Sequence, residues 1–245
     1  MRFILSRSTN PGFNLAAEEY LFLRQSEETL FLYVNEPCVV VGCNQSMLAE
    51  ADTAYCAAQG IGLFRRLSGG GAVYHDAGNL NYCFIRNRIS GHSPLGAAFL
   101  EPVINVLRSL EIPVEVGTRK DLWLPGGFKI SGTASHVGKT KELHHGTLLY
   151  DTSLERLEHA LTPHSPGRIK ASVASVPSPV KNIRWFLYVN GIDAMDASSF
   201  FQLFSERMQA FLPDLMRNDF SASEMHEIDE IAHRIYLSTA WTFKK

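Results

Sequence analysis

Two runs of this chain hold residues whose types and spacing suit chemistry on an anion. The first is Arg65-Arg66-Leu67-Ser68-Gly69-Gly70-Gly71-Ala72-Val73-Tyr74-His75-Asp76. Three consecutive glycines remove every Cβ, so the backbone can take positive φ, turn its N–H groups inward and approach a ligand closely. The glycines alone fit two structures, an ordered anion-binding hairpin or a plain flexible turn. Two arginines just before them and a strand pattern resuming at Ala72 to His75 favour the first, with both arginines supplying charge. The loop is not a Walker A, since no Gly-Lys-Ser/Thr follows, nor a GxGxxG that opens a helix.

The second run is Arg119-Lys120-Asp121-Leu122-Trp123-Leu124, then Gly126-Gly127-Phe128-Lys129-Ile130-Ser131-Gly132-Thr133-Ala134, then His144-His145-Gly146-Thr147-Leu148-Leu149. Lys129 sits between Phe128 and Ile130, which point to the opposite face of a strand. It is either a solvated strand lysine or a half-buried cation in need of an anion. Glycines on both sides favour the second, because small residues let a ligand come close. Asp121 is a surface carboxylate, a Mg2+ ligand or the group that positions Lys129. Adjacent strand residues face opposite ways, so His144 and His145 suit structural roles better than one shared metal ion.

The elements that must position these runs are many short strands with few helices. Strands are expected at 3–5, 30–34, 38–41, 63–65, 72–75, 80–85, 113–116, 121–124, 128–136 and 144–150. Helices are expected at 14–23, 50–59, from the Ser93-Pro94 start to about Leu110 with a kink at Pro102, at 153–161, 196–212 and 223–236. The last opens on the capping-box pattern Ser221-Ala-Ser-Glu224. Pro163 to Pro179 reads as a long functional loop that closes over a bound ligand. This is an α+β domain with a mixed, largely antiparallel sheet flanked by helices.

At 245 residues, with 45% hydrophobic and 20% charged residues, the chain suits one globular domain, 1–245. Its net charge of -2 gives no general attraction to nucleic acid, so an anion site must be local. Four cysteines, at 38, 43, 56 and 83, have neither metal-ligand spacing nor the density of a disulfide scaffold. Cys38 and Cys83 read as core. Without a signal peptide or an apolar run of about 18 residues, a cytoplasmic protein with no membrane partner is expected.

Taken together, Arg65 to Asn79, Lys129 to Ala134 and His144 to Leu149 closely resemble lipoate-protein ligase A and the related lipoyltransferases. Asn14 to Tyr20, Val41 to Gln45 and Ala174 to Asn182 extend the resemblance over nearly the whole chain. The resemblance implies a class II biotin/lipoate ligase-like domain. It implies two steps: lipoate and Mg-ATP give lipoyl-AMP, then a lysine on a lipoyl domain attacks it. The implied acceptors are 2-oxoacid dehydrogenase E2 subunits and the glycine cleavage H protein. Lys129 becomes the catalytic cation, shared by the lipoate carboxyl and the phosphate. The implied ATP and lipoyl-adenylate contacts are Arg66, Ser68, Gly70, Gly71, Ala72, Val73, Tyr74, His75 and Asn79 from the first run. From the second they are Lys129, Gly132, Thr133, Ala134, His145, Gly146 and Thr147, with Asp121 for Mg2+. By patterning, Leu15, Val73 and Leu148 line a tunnel for the aliphatic chain.

The sequence departs from the family in places. Bipartite members carry an accessory domain after a Trp-containing segment, here Thr239 to Lys245, and that domain is expected to be absent. This admits a separate accessory subunit, or a transferase acting on preformed lipoyl-AMP. Pro177 and Pro179, where many ligases have arginines, lean towards the transferase. Cys43 replaces an often basic residue with no evident consequence. The cysteine that an octanoyl- or lipoyltransferase of the thioester branch uses near the lysine motif is missing from this chain, and a non-catalytic lipoyl-binding paralogue sits poorly with an intact Lys129 and glycine loop.

Overall fold

The computed structural model describes residues 1–89, 99–163 and 173–244. In chain order its elements are β1 (Arg2–Leu5), α1 (Pro11–Leu23), β2 (Thr29–Val34), β3 (Cys38–Val41), α2 (Met47–Glu50), α3 (Thr53–Ala58), β4 (Gly62–Arg65), β5 (Val73–His75) and β6 (Asn79–Asn87). Then come α4 (Glu101–Ser109), β7 (Glu115–Val116), β8 (Leu122–Leu124), β9 (Phe128–Ser131), β10 (Thr133–Val137), β11 (Lys141–Leu149), α5 (Leu154–Ala160) and α6 (Ile183–Val189). The chain continues through α7 (Ala197–Phe211), β12 (Met216–Arg217), α8 (Ala222–Ile231), a π-helical turn (Ala232–Tyr236) and α9 (Thr239–Thr242).

The main sheet has six strands in the order β10-β11-β6-β2-β1-β12. Its first three pairings are antiparallel and its last two parallel. Strand alternation divides its side chains cleanly. Phe3, Leu30, Leu32, Tyr82 and Phe84 face one core with Val103 and Leu107 of α4 and Phe200, Phe204 and Met208 of α7. Ile4, Phe31, Tyr33, Cys83 and Ile85 face the other with Leu15, Tyr20 and Leu21 of α1 and Ile228 of α8. Each such side chain contributes about 1.5–3 kcal/mol by burial. This is the mixed α+β architecture expected from the sequence, and Cys38 and Cys83 are core residues. No helix of the described residues is long and apolar enough to cross a membrane.

Two small sheets complete the scaffold, β4-β3-β5 and β7-β8-β9. The expected strand 128–136 is two strands. Gly132 carries the chain from β9 in one sheet to β10 in another, and it both donates to Thr147 Oγ1 (3.0 Å) and accepts from Thr147 N (3.0 Å).

Several expectations need correction. Pro102 does not kink a helix; it lies in the first turn of α4, where a missing N–H costs nothing. Ser93-Pro94 lies outside the described residues. The helix at 50–59 is two short ones, the second capped by Asp52 accepting from Tyr55 N. The final helix keeps its capping box at Ser221 and Glu224 but ends in the π-helical turn. Helices α6 and α9 and strand β12 lie outside the expected elements.

Arg65 also differs from expectation. Its side chain is fully buried and serves no anion. Its guanidinium donates to the carbonyls of Gly42 (3.0 Å), Gln45 (2.6 Å), Trp241 (3.0 Å) and Thr242 (2.9 Å), while Trp241 Nε1 donates back to the Arg65 carbonyl (2.8 Å). The arginine thus ties the segment around α9 to β4. Replacing Arg65 by Met strands those carbonyls and should cost about 2–4 kcal/mol in urea unfolding, with earlier proteolysis around Trp241. An unchanged midpoint would contradict the clamp.

Candidate active site

The glycine loop is shaped by Arg66. Its guanidinium is buried and donates to the carbonyls of Val40 (3.0 Å), Gly69 (2.7 Å) and Gly71 (2.7 Å) and to Ser68 Oγ (3.0 Å). With its carbonyls gathered by one cation, the loop leaves the N–H of Ala72 pointing outward, where Ser175 Oγ accepts it at 2.8 Å. Burial pulls the Arg66 pKa down to about 10, partly offset by Glu18, so the group stays charged at neutral pH.

Two glycines are dictated by geometry. Gly70 has φ +89°, and a Cβ there would lie 3.0 Å from Arg66 Nη2. Gly42 packs so closely that a Cβ would sit 2.3 Å from the Gly70 carbonyl oxygen.

Across from the loop, the β8-β9 hairpin presents Lys129. Its Nζ lies 3.1 Å from Asp121 Oδ2, with Arg119 4.0 Å from the same oxygen. Burial alone would raise the Asp121 carboxyl, but hydrogen bonds from Trp123 and Lys129 outweigh it and hold the group below the usual carboxylate value. Asp121 is 2% exposed and already engaged by a cation. Of the roles open to it, the ion pair with Lys129 fits the positioning of that lysine.

Loop and hairpin open on one cavity of about 240 Å³. Its walls combine apolar Leu15, Val40 and Val73 with cationic Arg66, Arg119 and Lys129. Of the residues named from sequence, Gly70, Gly71, Ala72, His75, Asp121, Gly132, Thr133, Ala134, His145, Gly146 and Thr147 line it as well. Three do not. Ser68 is buried against Arg66 and His145, Tyr74 turns into the apolar cluster around Val39 and Cys56, and Asn79 donates to Asn81. Leu148, expected in the tunnel, is instead packed in the main core, because it lies on the other face of β11 from His145.

His144 and His145 part as strand geometry demands. His144 stacks on Phe99 and bonds Ser135 Oγ through Nδ1 (2.9 Å), and burial drives its pKa down to about 3. His145 faces the cavity. Its Nδ1 is 2.8 Å from Glu18 Oε2 and its Nε2 is 2.7 Å from Ser68 Oγ. Ligand atoms of Glu18, Cys83 and His145 lie within 4.8 Å of one another, the spacing of a metal centre. Burial and the Glu18 charge push the Cys83 thiol well up, and the Glu18 carboxylate is already engaged by His145 Nδ1 and the Tyr33 hydroxyl.

Part of the Pro163 to Pro179 segment, 164–172, lies outside the described residues. Val173 to Val176 line the cavity, held by Gln45 Nε2 donating to the Val173 carbonyl (3.1 Å) and to Ser175 Oγ (3.1 Å). Sequence reasoning missed Tyr33, Asn81 and Ser175 as wall residues and gave Glu18 no role. The signal for Glu18 was present: two adjacent carboxylates in an apolar helical run, each of which is buried and bonded, Glu19 to the Tyr236 hydroxyl at 2.6 Å.

A cavity that joins apolar walls, cations and a glycine loop suits a ligand with an apolar part and an anionic head. The family is consistent with that class of site. Residues 10–209 match the lipoyl protein ligase A/B catalytic domain, and the chain belongs to that family. It is 40% identical over 191 residues to lipoate–protein ligase 1 of Staphylococcus aureus, covering 76% of this chain and 58% of the relative. It is 39% identical over 190 residues to lipoate-protein ligase LplJ of Bacillus subtilis, covering 76% and 57%. The chain therefore matches little more than half the length of these relatives. Among solved structures, a bi-partite lipoate protein ligase of Thermoplasma acidophilum, studied with its E2 lipoyl domain, superposes with TM-score 0.82 at 25% identity, covering 99% of this chain and 95% of that one. A lipoate-protein ligase A bound with ATP shares the fold at TM-score 0.81 and 24% identity, covering 99% and 98%.

The close approach of Gly42 to the loop gives a direct test. Gly42→Ala pushes the Gly70 carbonyl away and should weaken binding of an acyl-adenylate at least about tenfold, roughly 1.4 kcal/mol, by calorimetry. Unchanged affinity would mean the loop does not form the anion site.

Proposed function

We propose that this chain catalyses lipoyl transfer. Lipoate and ATP give lipoyl-AMP and pyrophosphate, and the lipoyl group then passes to a lysine of a lipoyl domain. The observation that supports this most is that Lys129, fixed by Asp121, shares one cavity with the glycine loop and an apolar wall.

In the first step a carboxylate oxygen attacks the α-phosphorus, and the bond to pyrophosphate breaks. Two anions must come together, so a cation beside both stabilises the crowded transition state far more than it would in water. Asp121 keeps the ammonium in place before the ligand arrives, which removes an ordering cost at the moment of reaction. Leu15, Val40 and Val73 hold the aliphatic chain. The Ala72 N–H, now satisfied by Ser175, becomes a donor to an anionic oxygen when the ligand displaces that hydroxyl. Mg2+ enters this reading only with ATP. Lys129 forms no covalent bond, because the adenylate is itself the activated species.

The proposed acceptors are the lipoyl domains of 2-oxoacid dehydrogenase E2 subunits and the glycine cleavage H protein. A second reading, that adenylation needs a separate accessory subunit and this chain uses preformed lipoyl-AMP, is favoured by the Thermoplasma protein. That ligase is bi-partite, and this chain covers 95% of the one chain of it that is matched.

The test is the intact mass of an apo lipoyl domain after incubation with the chain and either lipoate plus Mg-ATP or synthetic lipoyl-AMP. A gain of one lipoyl group is expected from lipoyl-AMP in both readings, and from lipoate plus Mg-ATP in the first alone. With Lys129→Ala, formation of lipoyl-AMP should fall by about 10²–10³-fold, as for loss of a fixed electrostatic group. No gain from either source would overturn the proposal and leave a non-catalytic binding protein; full activity of the variant would overturn the catalytic role of Lys129.

A further inference from the structure

Resting on the lipoyl-transfer reading, we infer that His145 is the base that takes the proton from the acceptor lysine, and that Glu18 is its positioning residue. The need for a base is chemical. An amine with an ordinary pKa of about 10.4 is free in fewer than about one molecule in 10³ at neutral pH, and only the free amine attacks an acyl group.

The geometry supplies one. Glu18 on α1 accepts from the Tyr33 hydroxyl (3.0 Å), from the Cys83 thiol and from His145 Nδ1 (2.8 Å). A carboxylate can only accept, so Nδ1 carries the ring proton and Nε2 is left as the basic nitrogen. Nε2 now meets Ser68 Oγ at 2.7 Å. That hydroxyl has a second acceptor, the Gly69 carbonyl at 3.4 Å, and can turn to it, leaving Nε2 to the incoming amine. His145 lines the cavity that holds Lys129 and the glycine loop. Ser68, His145 and Glu18 thus form a hydroxyl–imidazole–carboxylate chain, and Arg66 Nε anchors its hydroxyl end at 3.0 Å.

The surrounding groups single out His145. Around it are Glu18 from α1, bonded to it directly, Cys83 from β6, its cross-strand partner, and Tyr33 from β2 and Arg66 from the loop after β4, which line the same cavity. His75, His136 and His144 are the other histidines of its surroundings. His75 lines the same cavity, but burial and Arg66 lower its pKa to about 3, and its Nδ1 is bonded to Asn35. Burial likewise holds Tyr33 and Cys83 protonated.

The step balances. The acceptor ammonium gives one proton to His145 Nε2. Its nitrogen bonds the acyl carbon, the carbon–oxygen bond to phosphate breaks, and AMP departs with that electron pair. The second proton on nitrogen leaves with a phosphate oxygen of AMP, and the product is the amide.

The test is single-turnover transfer from bound lipoyl-AMP to an apo lipoyl domain, across pH, with His145→Gln and Glu18→Gln. Stoichiometric lipoyl-AMP binding and the thermal midpoint check that each variant is folded, and Glu18→Gln carries the test if His145→Gln is not. His145→Gln should slow transfer about 10²-fold at neutral pH, with the deficit shrinking as pH rises towards the lysine pKa. Glu18→Gln should show a smaller deficit with the same pH trend. Hydroxylamine is already neutral at that pH and needs no base, so the loss with it should be at least about tenfold smaller than with the protein lysine. A loss equal for both acceptors and flat with pH, or no loss, would overturn the assignment. If the unmodified chain does not transfer from lipoyl-AMP, it is the lipoyl-transfer reading that fails.

Discussion

The buried guanidinium of Arg66 is the interaction on which the site depends. It collects the carbonyls of Val40, Gly69 and Gly71 and the hydroxyl of Ser68, so β3 and both ends of the glycine loop are fixed to one charge. Burying a cation is costly unless each donor finds an acceptor, and here four of five N–H groups do. The loop cannot relax without stranding that charge. Its rigidity presents an outward N–H at Ala72 and keeps the cavity open beside Lys129.

The two adjacent arginines divide the work by strand alternation. Arg65 points to the opposite side of β4 from the cavity and spends its donors on the segment around α9, while Arg66 serves the loop. The second half of the site comes from a different sheet. The β8-β9 hairpin carries Asp121 and Lys129, and the crossing at Gly132 joins it to β10 and so to His145 on β11. The site is therefore a seam between the main sheet and two smaller ones, with α1 contributing Leu15 and Glu18 from beneath.

Much of this is legible in the residues. Alternation along β2 and β6, the capping box of α8 and the opposed faces of His144 and His145 follow from local spacing alone. Glycines flanking Lys129 and a carboxylate one hairpin away announced the second half of the site. Local patterning is silent on where long-range partners lie. Arg65 looks like an anion ligand until its distant carbonyl partners at Trp241 and Thr242 are seen. Leu148 is apolar and near the motif, yet the register of β11 sends it to the other core. The run Ile183 to Val189 is rich in aromatic and β-branched residues and has no helical stripe of its own; α6 forms because Ile183 and Leu187 dock on the main core. Glu18 gains meaning only when α1 packs over β6 and β11.

The central claim is that Lys129 and the glycine loop hold an acyl-adenylate between them. A crystal structure of the chain with a non-hydrolysable lipoyl-adenylate analogue tests it most directly. The account predicts Lys129 Nζ within hydrogen-bond distance of both an acyl and a phosphoryl oxygen, the aliphatic chain against Leu15 and Val73, and the Ala72 N–H transferred from Ser175 to the ligand. An analogue bound elsewhere, or bound with Lys129 still on Asp121 alone and Ser175 still on Ala72, would contradict it.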